Sequence, residues 1–474
     1  MKLLQLLRAI GQTIDTEDCE VTSVVIDSRK VTEGSLFVAI QGGKFDGHTV
    51  AADALKNGAV AVITQHSMNL DREVTVADTR KANALLCSAF FDNPADRLRL
   101  VGVTGTNGKS TITSLVKQSL SYLGHMAGLI GTIQYEIGDR IIPSKFTTPE
   151  PWDLYALLAA MVKAGCEFAV MEASSQALSQ MRLYGLEFEV AAFSNLTRDH
   201  QDVHKTMEDY FDAKRILFKN AKTAVINMDD EYGIRLAQEF ADRTISYSGS
   251  SDSVDYTAKN IEYTINNVKF AVSGYSFISR VKFCIPGYYS VQNALAAFCI
   301  LTALGIDKTD AAESISSVKM IKGRCETLYQ GTYTVISDFA HTEDGLYQLA
   351  SSLKPYVEGK LIMLYGCTGE RDSGKRPDMI RTTGAISDII VLTSDNPRSE
   401  DPNEIIASLT EILDKETKEY YTEPDREKAI KLALSLCEKG DLLLLCGKGH
   451  EDYQVMNGYT LYLNEREIVR AYTQ

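Results

Sequence analysis

Arg99-Leu100-Val101-Gly102-Val103-Thr104-Gly105-Thr106-Asn107-Gly108-Lys109-Ser110 is the stretch on which the fold turns. Its first five residues read as a buried strand. Glycines at 105 and 108 open a loop, and a helical pattern runs from Ser110 to about Leu123. A loop between strand and helix is where an α/β sheet receives phosphate, because backbone N–H groups and the helix N-terminus point at the anion. Glycine lets the backbone approach closely. Lys109 can reach the outer phosphates and Ser110 can ligate Mg²⁺. The usual spacing is Gly-x-x-x-x-Gly-Lys-Ser; here Val103 takes the first position and glycines fall at 102, 105 and 108. The bland alternative is a fortuitous glycine-rich turn.

Outward from this loop, strand-like runs Phe168–Met171 and Val190–Phe193 alternate with helical stretches at 153–164 and 207–217. Such alternation predicts a parallel sheet covered on both faces. Before it, Val24-Val25-Ile26 and Leu36–Ile40, followed by turn signals Asp46-Gly47 and Asn57-Gly58, read as a small α/β domain over residues 1–97. After it, Thr334–Ile336, Leu361–Leu364, Ile389–Leu392 and Leu442–Leu445 predict a second doubly wound sheet. The expected domains are therefore 1–97, 98–322 and 323–474, with Met320-Ile321-Lys322 as the second connector.

The 474 residues suit several domains at roughly 100–200 residues each. Apolar residues make up 45% and charged residues 24%, an ordinary globular composition. The net charge of −14 argues against non-specific nucleic-acid binding, which needs a basic face. Nine cysteines without a Cys-x-x-Cys pair point to reduced, mostly buried thiols. Met1–Arg8 reads as an amphipathic helix rather than a signal peptide, and no transmembrane run is present, so action in the cytoplasm away from the membrane is expected.

Oxygen and nitrogen ligands for a metal should lie at strand ends. Glu172 follows Val170-Met171, and His200 closes Ser194–His200. On the residues alone, a lone histidine is more often structural and Lys214 reads as a surface helix lysine. For Asn396-Pro397-Arg398 the bland alternative is a turn that exposes its arginine.

Together the loop and the strand-end residues resemble the Mur ligase family, whose members add amino acids to the UDP-linked precursor of bacterial peptidoglycan. The match runs from about Asp27 to Gln454, and is sharpest with the branch that adds the third residue. It implies three α/β domains: a UDP-binding domain, a P-loop-type ATP-binding sheet and a Rossmann-like amino-acid domain. It implies ATP contacts from Gly105, Thr106, Asn107, Gly108, Lys109, Ser110, Thr111, Asn293, Arg324 and His341. Ser28, Thr147, Thr148, Ser174, Gln180 and Arg182 would hold UDP-N-acetylmuramoyl-L-Ala-D-Glu. Ser110, Glu172, His200 and Lys214 would hold two Mg²⁺, with Lys214 carried as a CO₂-derived carbamate, and Lys109, Glu172, His200 and Lys214 would be catalytic. Asp395, Asn396, Pro397, Arg398, Gly447 and Glu451 would receive meso-diaminopimelate, Arg398 forking onto its distal carboxylate and Glu451 pairing its distal ammonium. The implied enzyme is a monomer that makes an amide through an acyl phosphate. Asp338–Thr342 and Gly366–Asp372 with Lys375-Arg376-Pro377 match further signatures of the branch.

Departures from the family pattern stand at Gln176, Gln201, Ser290, Cys325, Phe339 and Glu343. Three alternatives stay open at this point. The first is the same reaction with L-lysine, the second a folylpolyglutamate-type ligase, and the third a nucleotide-binding regulatory paralogue without turnover.

Overall fold

The computed structural model describes residues 1–43, 45–200, 203–416 and 419–474, without the side chains of Lys415 and Glu416. Gln201 lies outside the described residues. The chain forms two compact units, one of 1–104, 124–191 and 212–223, the other of 105–123, 192–211 and 224–474.

The first unit opens with Leu3–Arg8, a helix as expected. A parallel sheet follows in the order β1 (Ser23–Val25), β2 (Ser35–Val38), β3 (Ala59–Thr64) and β4 (Glu73–Thr75). Phe37, Ala39, Ala51, Ala54 and Val62 form its core. The helix Thr79–Phe90 starts at Asp78, whose carboxylate accepts the orphan N–H groups of Arg80 and Lys81 at 2.9 and 3.1 Å. The same unit holds β5 (Arg99–Thr104), β6 (Ala127–Ile130), β7 (Gln134–Ile137), β8 (Arg140–Pro143) and β9 (Phe168–Glu172), ordered β5-β9-β6-β7-β8. Strands β5, β9 and β6 are parallel and almost wholly buried, as continuous apolar runs require. Strands β7 and β8 turn back antiparallel through Gly138, at φ +59°. The parallel expectation fails here: β8 is a short, largely exposed edge strand whose apolar pair, Ile141-Ile142, is too brief a run to mark it. Strands β10 (Phe188–Phe193) and β11 (Ala221–Asn227) and the helix Met207–Lys219 run through both units.

In the second unit β12 (Thr244–Ser248) pairs parallel with the end of β11, and β13 (Tyr256–Thr264) parallel with β12. Then β14 (Asn267–Gly274) and β15 (Phe277–Phe283) continue as antiparallel hairpins. These too were not expected, because their polar alternation lacks long apolar runs. The C-terminal sheet contains β16 (Glu326–Gln330), β17 (Thr334–Asp338), β18 (Leu361–Tyr365), β19 (Ile389–Leu392), β20 (Tyr420–Thr422) and β21 (Leu442–Cys446). Its order is β16-β17-β21-β18-β19-β20, parallel except for β16. Strands β17, β18, β19 and β21 therefore end along one edge, and the loops after them share it. A ribbon of β22 (Tyr453–Met456) and β23 (Tyr459–Tyr462) follows. All nine cysteines are free and six are buried. Among the described residues no helix is long and apolar enough to cross a membrane.

Candidate active site

The loop after β5 is built as the sequence implies, and its glycines are obligatory. Gly105 sits at φ +150°, where a Cβ would fall 1.9 Å from Ser194 Oγ. Gly108 sits at φ +87°, where a Cβ would fall 2.4 Å from Asn293 Oδ1. Asn293 is buried on the helix Tyr288–Ala303, so that helix meets the loop.

Neighbouring polar groups fix the loop. Asn195 accepts from the Thr106 N–H through its carbonyl and from the Asn107 N–H through its side chain, both at 2.9 Å. Ser194 Oγ donates to the Asn107 carbonyl at 2.6 Å. Asn107 Nδ2 donates to Asp344 at 2.9 Å, and Arg324 Nη2 donates to Ser110 Oγ at 2.9 Å. Thus Asp344, on the helix Glu343–Leu353, and Arg324 touch the loop, although sequence reading gave Asp344 no role. Lys109 Nζ donates to the carbonyls of Gly105 and Thr106 at 2.9 and 2.8 Å, which folds its ammonium back over the loop. Thr111 is buried in the first turn of the helix Lys109–Tyr122. A phosphate entering here would meet N–H donors, the Lys109 ammonium and the Arg324 guanidinium.

A second group of predicted residues gathers at the C-terminal edge of the last sheet. One cleft is lined by Asp199, His200, Phe339, His341, Thr368, Arg371, Asp372, Lys375, Asp395, Asn396, Arg398, Gly447 and Glu451. It brings the loops after β17, β18, β19 and β21 together with the Asp199-His200 segment. Sequence reading quoted Thr368, Arg371, Asp372 and Lys375 as a signature without assigning them to the pocket. Asp199 lies 3.5 Å from His200 Nε2 and 3.4 Å from Lys375 Nζ. Burial alone would raise the Asp199 carboxyl, but the charges of His200, Lys375 and His341 outweigh it and hold the group well below the usual carboxylate range. Burial, aided by Lys375, pushes the His341 imidazole down, so it is neutral at neutral pH.

The floor of this cleft is a buried charge network. Lys448 is fully buried. Its Nζ donates to Asn396 Oδ1 at 2.6 Å and Glu451 Oε2 at 2.9 Å, and lies 3.5 Å from Asp395 Oδ1. Thr368 Oγ1 donates to Asp395 Oδ2 at 2.5 Å. Glu451 Oε2 also accepts from Asn396 Nδ2 at 3.1 Å, whereas among the described residues Oε1 has only the Tyr453 hydroxyl at 3.4 Å. One carboxylate oxygen of Glu451 thus keeps most of its accepting capacity for an incoming ammonium. Arg398 is half-buried at φ +57°, held by N–H donation to the Val455 carbonyl at 3.1 Å. It faces the cleft as part of a shaped backbone, not as the tip of an exposed turn. Pro397 precedes it, packed so that its carbonyl excludes any side chain at Gly369. Gly447 lies beside Asp395 at φ +102°, a backbone conformation that favours glycine.

Two departures fall in this neighbourhood. Phe339 lies under the Arg324 guanidinium at 4.8 Å and against His341 and His450 at 4.8 and 4.9 Å, so an aromatic ring is retained without its hydroxyl. Cys325 is buried, and its N–H donates to Asp338 at 2.6 Å.

The first unit carries a separate polar cluster. Glu172, at the end of β9, is buried. Thr132 donates to it through its N–H at 2.8 Å and its hydroxyl at 3.1 Å, one to each oxygen. Each oxygen keeps a lone pair, as a metal ligand needs. Gly131 makes room, since a Cβ there would fall 2.6 Å from Glu172 Oε1. Thr132 and Thr147 share a hydroxyl hydrogen bond of 2.9 Å. Thr148 Oγ1 donates to the Glu172 carbonyl at 2.6 Å and accepts from the Ser174 N–H at 3.1 Å. Arg182 donates to the Thr148 carbonyl at 2.9 Å and to Gln180 at 2.7 Å, and pairs with Glu150 at 2.8 Å. Thr147, Thr148, Glu172, Ser174, Gln180 and Arg182 are therefore one connected set. Ser28 lies elsewhere, in the turn Ser28–Lys30 capped by Asp27. Lys214 is 1% exposed, which removes its reading as a surface lysine.

Comparison with known proteins gives these residues a context. Three family models match the chain: "Mur ligase family, catalytic domain" over 20–89, "Mur ligase middle domain" over 103–301, and "Mur ligase, glutamate ligase domain" over 323–449. The chain is 41% identical over 476 residues to the UDP-N-acetylmuramoyl-L-alanyl-D-glutamate--2,6-diaminopimelate ligase of Caldanaerobacter subterraneus subsp. tengcongensis, covering 99% of this chain and 98% of the relative. It is 38% identical over 483 residues to the protein of the same name from Clostridium perfringens, covering 99% of both. A solved structure of a ligase of that name matches with a TM-score of 0.72 at 30% identity, covering 100% of this chain and 99% of that one.

Proposed function

The chain belongs to the Mur ligase family and has its three-domain fold, and from that premise we propose that it is the ATP-dependent ligase that joins meso-diaminopimelate to UDP-N-acetylmuramoyl-L-Ala-D-Glu in peptidoglycan precursor synthesis. The observation that carries the choice of amino acid is the cleft holding Arg398 and Glu451 over the buried Lys448. Diaminopimelate ends in a carboxylate and an ammonium. Arg398 offers a planar fork for the first and Glu451 an open oxygen for the second. L-Lysine lacks that carboxylate and would leave Arg398 unpaired. Domain limits of 1–97, 98–322 and 323–474 are part of the same reading.

The reaction activates a poor acyl donor. The γ-carboxylate of D-Glu takes the terminal phosphoryl group of ATP, and the amino group of diaminopimelate then displaces phosphate from the acyl carbon. Protein groups position the reactants and offset charge. Lys109 exchanges its two loop carbonyls for phosphate oxygens. Arg324, His341 and Asn293 flank the nucleotide, with Thr111 in the first helical turn behind it. Thr147, Thr148, Ser174, Gln180 and Arg182 serve the muramoyl dipeptide, and Ser28 the uridine. Ser110, Glu172, His200 and Lys214, as its carbamate, are the candidate ligands for two Mg²⁺. Bound Mg²⁺ neutralises charge on the transferring phosphoryl group. Labelled bicarbonate giving a carbamate resonance that Lys214→Arg abolishes tests that modification. The enzyme acts as a cytoplasmic monomer in this reading.

Mass analysis of the product formed from UDP-N-acetylmuramoyl-L-Ala-D-Glu, ATP and each amino acid tests the assignment. Diaminopimelate should be incorporated in strong preference to L-lysine. Incorporation of L-lysine alone overturns the role of Arg398, and ATP binding without turnover overturns the ligase reading.

A further inference from the structure

Behind the cleft lies an ion pair that the reaction does not use. Arg426, at the start of the helix Arg426–Ser435, and Glu465, at the start of the helix Glu465–Thr473, have side chains 0% exposed. Arg426 donates to Glu465 Oε1 through Nε at 2.9 Å and Nη2 at 2.8 Å. Two of its remaining three donors reach backbone. Nη1 donates to the Ser394 carbonyl at 3.1 Å and Nη2 to the Cys446 carbonyl at 2.8 Å. Ser337 Oγ, on β17, donates to the other Glu465 oxygen at 2.9 Å.

The two carbonyls are placed in a telling way. Ser394 immediately precedes Asp395-Asn396-Pro397-Arg398, and Cys446 immediately precedes Gly447-Lys448. One guanidinium therefore ties together the roots of the two loops that carry Arg398 and Glu451. Because Arg426 is rigid and planar, it sets the spacing of the roots as well as holding each. Lys448 and Asn396 bridge the same loops nearer the cleft, at 2.6 Å. The loops are thus fastened at the base by Arg426 and at the rim by Lys448.

We propose that Arg426, braced by Glu465, is a positioning residue that sets amino-acid selectivity by fixing the distance between the Arg398 and Glu451 loops. The proposal rests on the reading of this cleft as the diaminopimelate pocket. Sites that discriminate by paired polar groups need those groups held to about half an ångström, and a 1 Å misplacement costs about 10²-fold in rate.

The test compares the full-length wild type with Arg426→Lys and Ser337→Ala. Lysine at 426 keeps the charge but cannot span both carbonyls and the carboxylate. Arg426→Lys should raise KM for diaminopimelate by about 10-fold or more and shrink the preference over L-lysine. Its KM values for ATP and UDP-N-acetylmuramoyl-L-Ala-D-Glu should stay within about twofold. Ser337→Ala removes one donor to Glu465 and should shift KM for diaminopimelate in the same direction by less. A fall in Tm in both variants with KM for diaminopimelate unchanged overturns the proposal, as does a parallel rise in all three KM values. If Arg426→Lys does not fold, Ser337→Ala decides by the same criterion. Wild type that shows no preference for diaminopimelate refutes the reading of the pocket itself, which is a separate outcome.

Discussion

In the proposed function the phosphate loop and the cleft around Arg398 solve the same problem, holding a charged ligand, by opposite means. The loop is one contiguous segment whose shape comes from glycines at φ +150° and +87° and from backbone donors. The cleft is assembled from several separate loops over a buried lysine, two carboxylates and an asparagine. The loop can serve any nucleotide-using relative, because backbone N–H groups recognise phosphate regardless of what receives it. The cleft depends on side chains at fixed separations, so it can discriminate between amino acids. Generality is local in the chain, and specificity is distributed.

Damage to either region should separate these properties. The largest effect is expected beneath the cleft. Glu465→Ala leaves Arg426 buried without its counter-ion, and should lower unfolding free energy by about 3–5 kcal/mol in urea denaturation. Next comes the loop. Lys109→Met removes the loop's ammonium and should lower kcat by about 10²–10³-fold with either amino acid. Steady-state competition should show the preference for diaminopimelate intact, since nothing in the cleft has changed. The smallest effect is electrostatic. The Asp199 carboxyl is held below its ordinary range in the folded chain, so its pairing stabilises the fold above the unfolded pKa of about 3.9. That stabilisation is lost as pH falls through the folded value. Thermal unfolding should show wild type above Asp199→Asn near neutral pH, by on the order of 1–2 kcal/mol, with the gap closing below about pH 4.

The same contrast explains what could be read from the chain. The loop, its strand β5 and the helix after it were legible because their signals lie within a few residues of one another. So were the apolar strands β9, β17, β18, β19 and β21. The hairpins β7–β8 and β13–β15 were not, since their strands are of mixed burial and carry no apolar run longer than three residues. Arg398 and Glu451 were reached through resemblance, whereas Lys448 between them was given no role. Nothing local says that it would be buried against Asp395 and Glu451. Arg426 and Glu465 were invisible, being ordinary charged residues near helix starts whose partners lie 39 positions apart. Lys214 shows the limit most clearly. Its neighbours describe a surface helix, and only the folded chain buries it.

The most direct test is the ratio of kcat/KM for meso-diaminopimelate to that for L-lysine, measured side by side in wild type and Arg398→Ala. The ratio should be large in wild type and fall by about 10²-fold in the variant, because the distal carboxylate loses its charge-assisted fork while L-lysine loses nothing. An unchanged ratio, with both activities lowered alike, would contradict Arg398 as the group that chooses the amino acid.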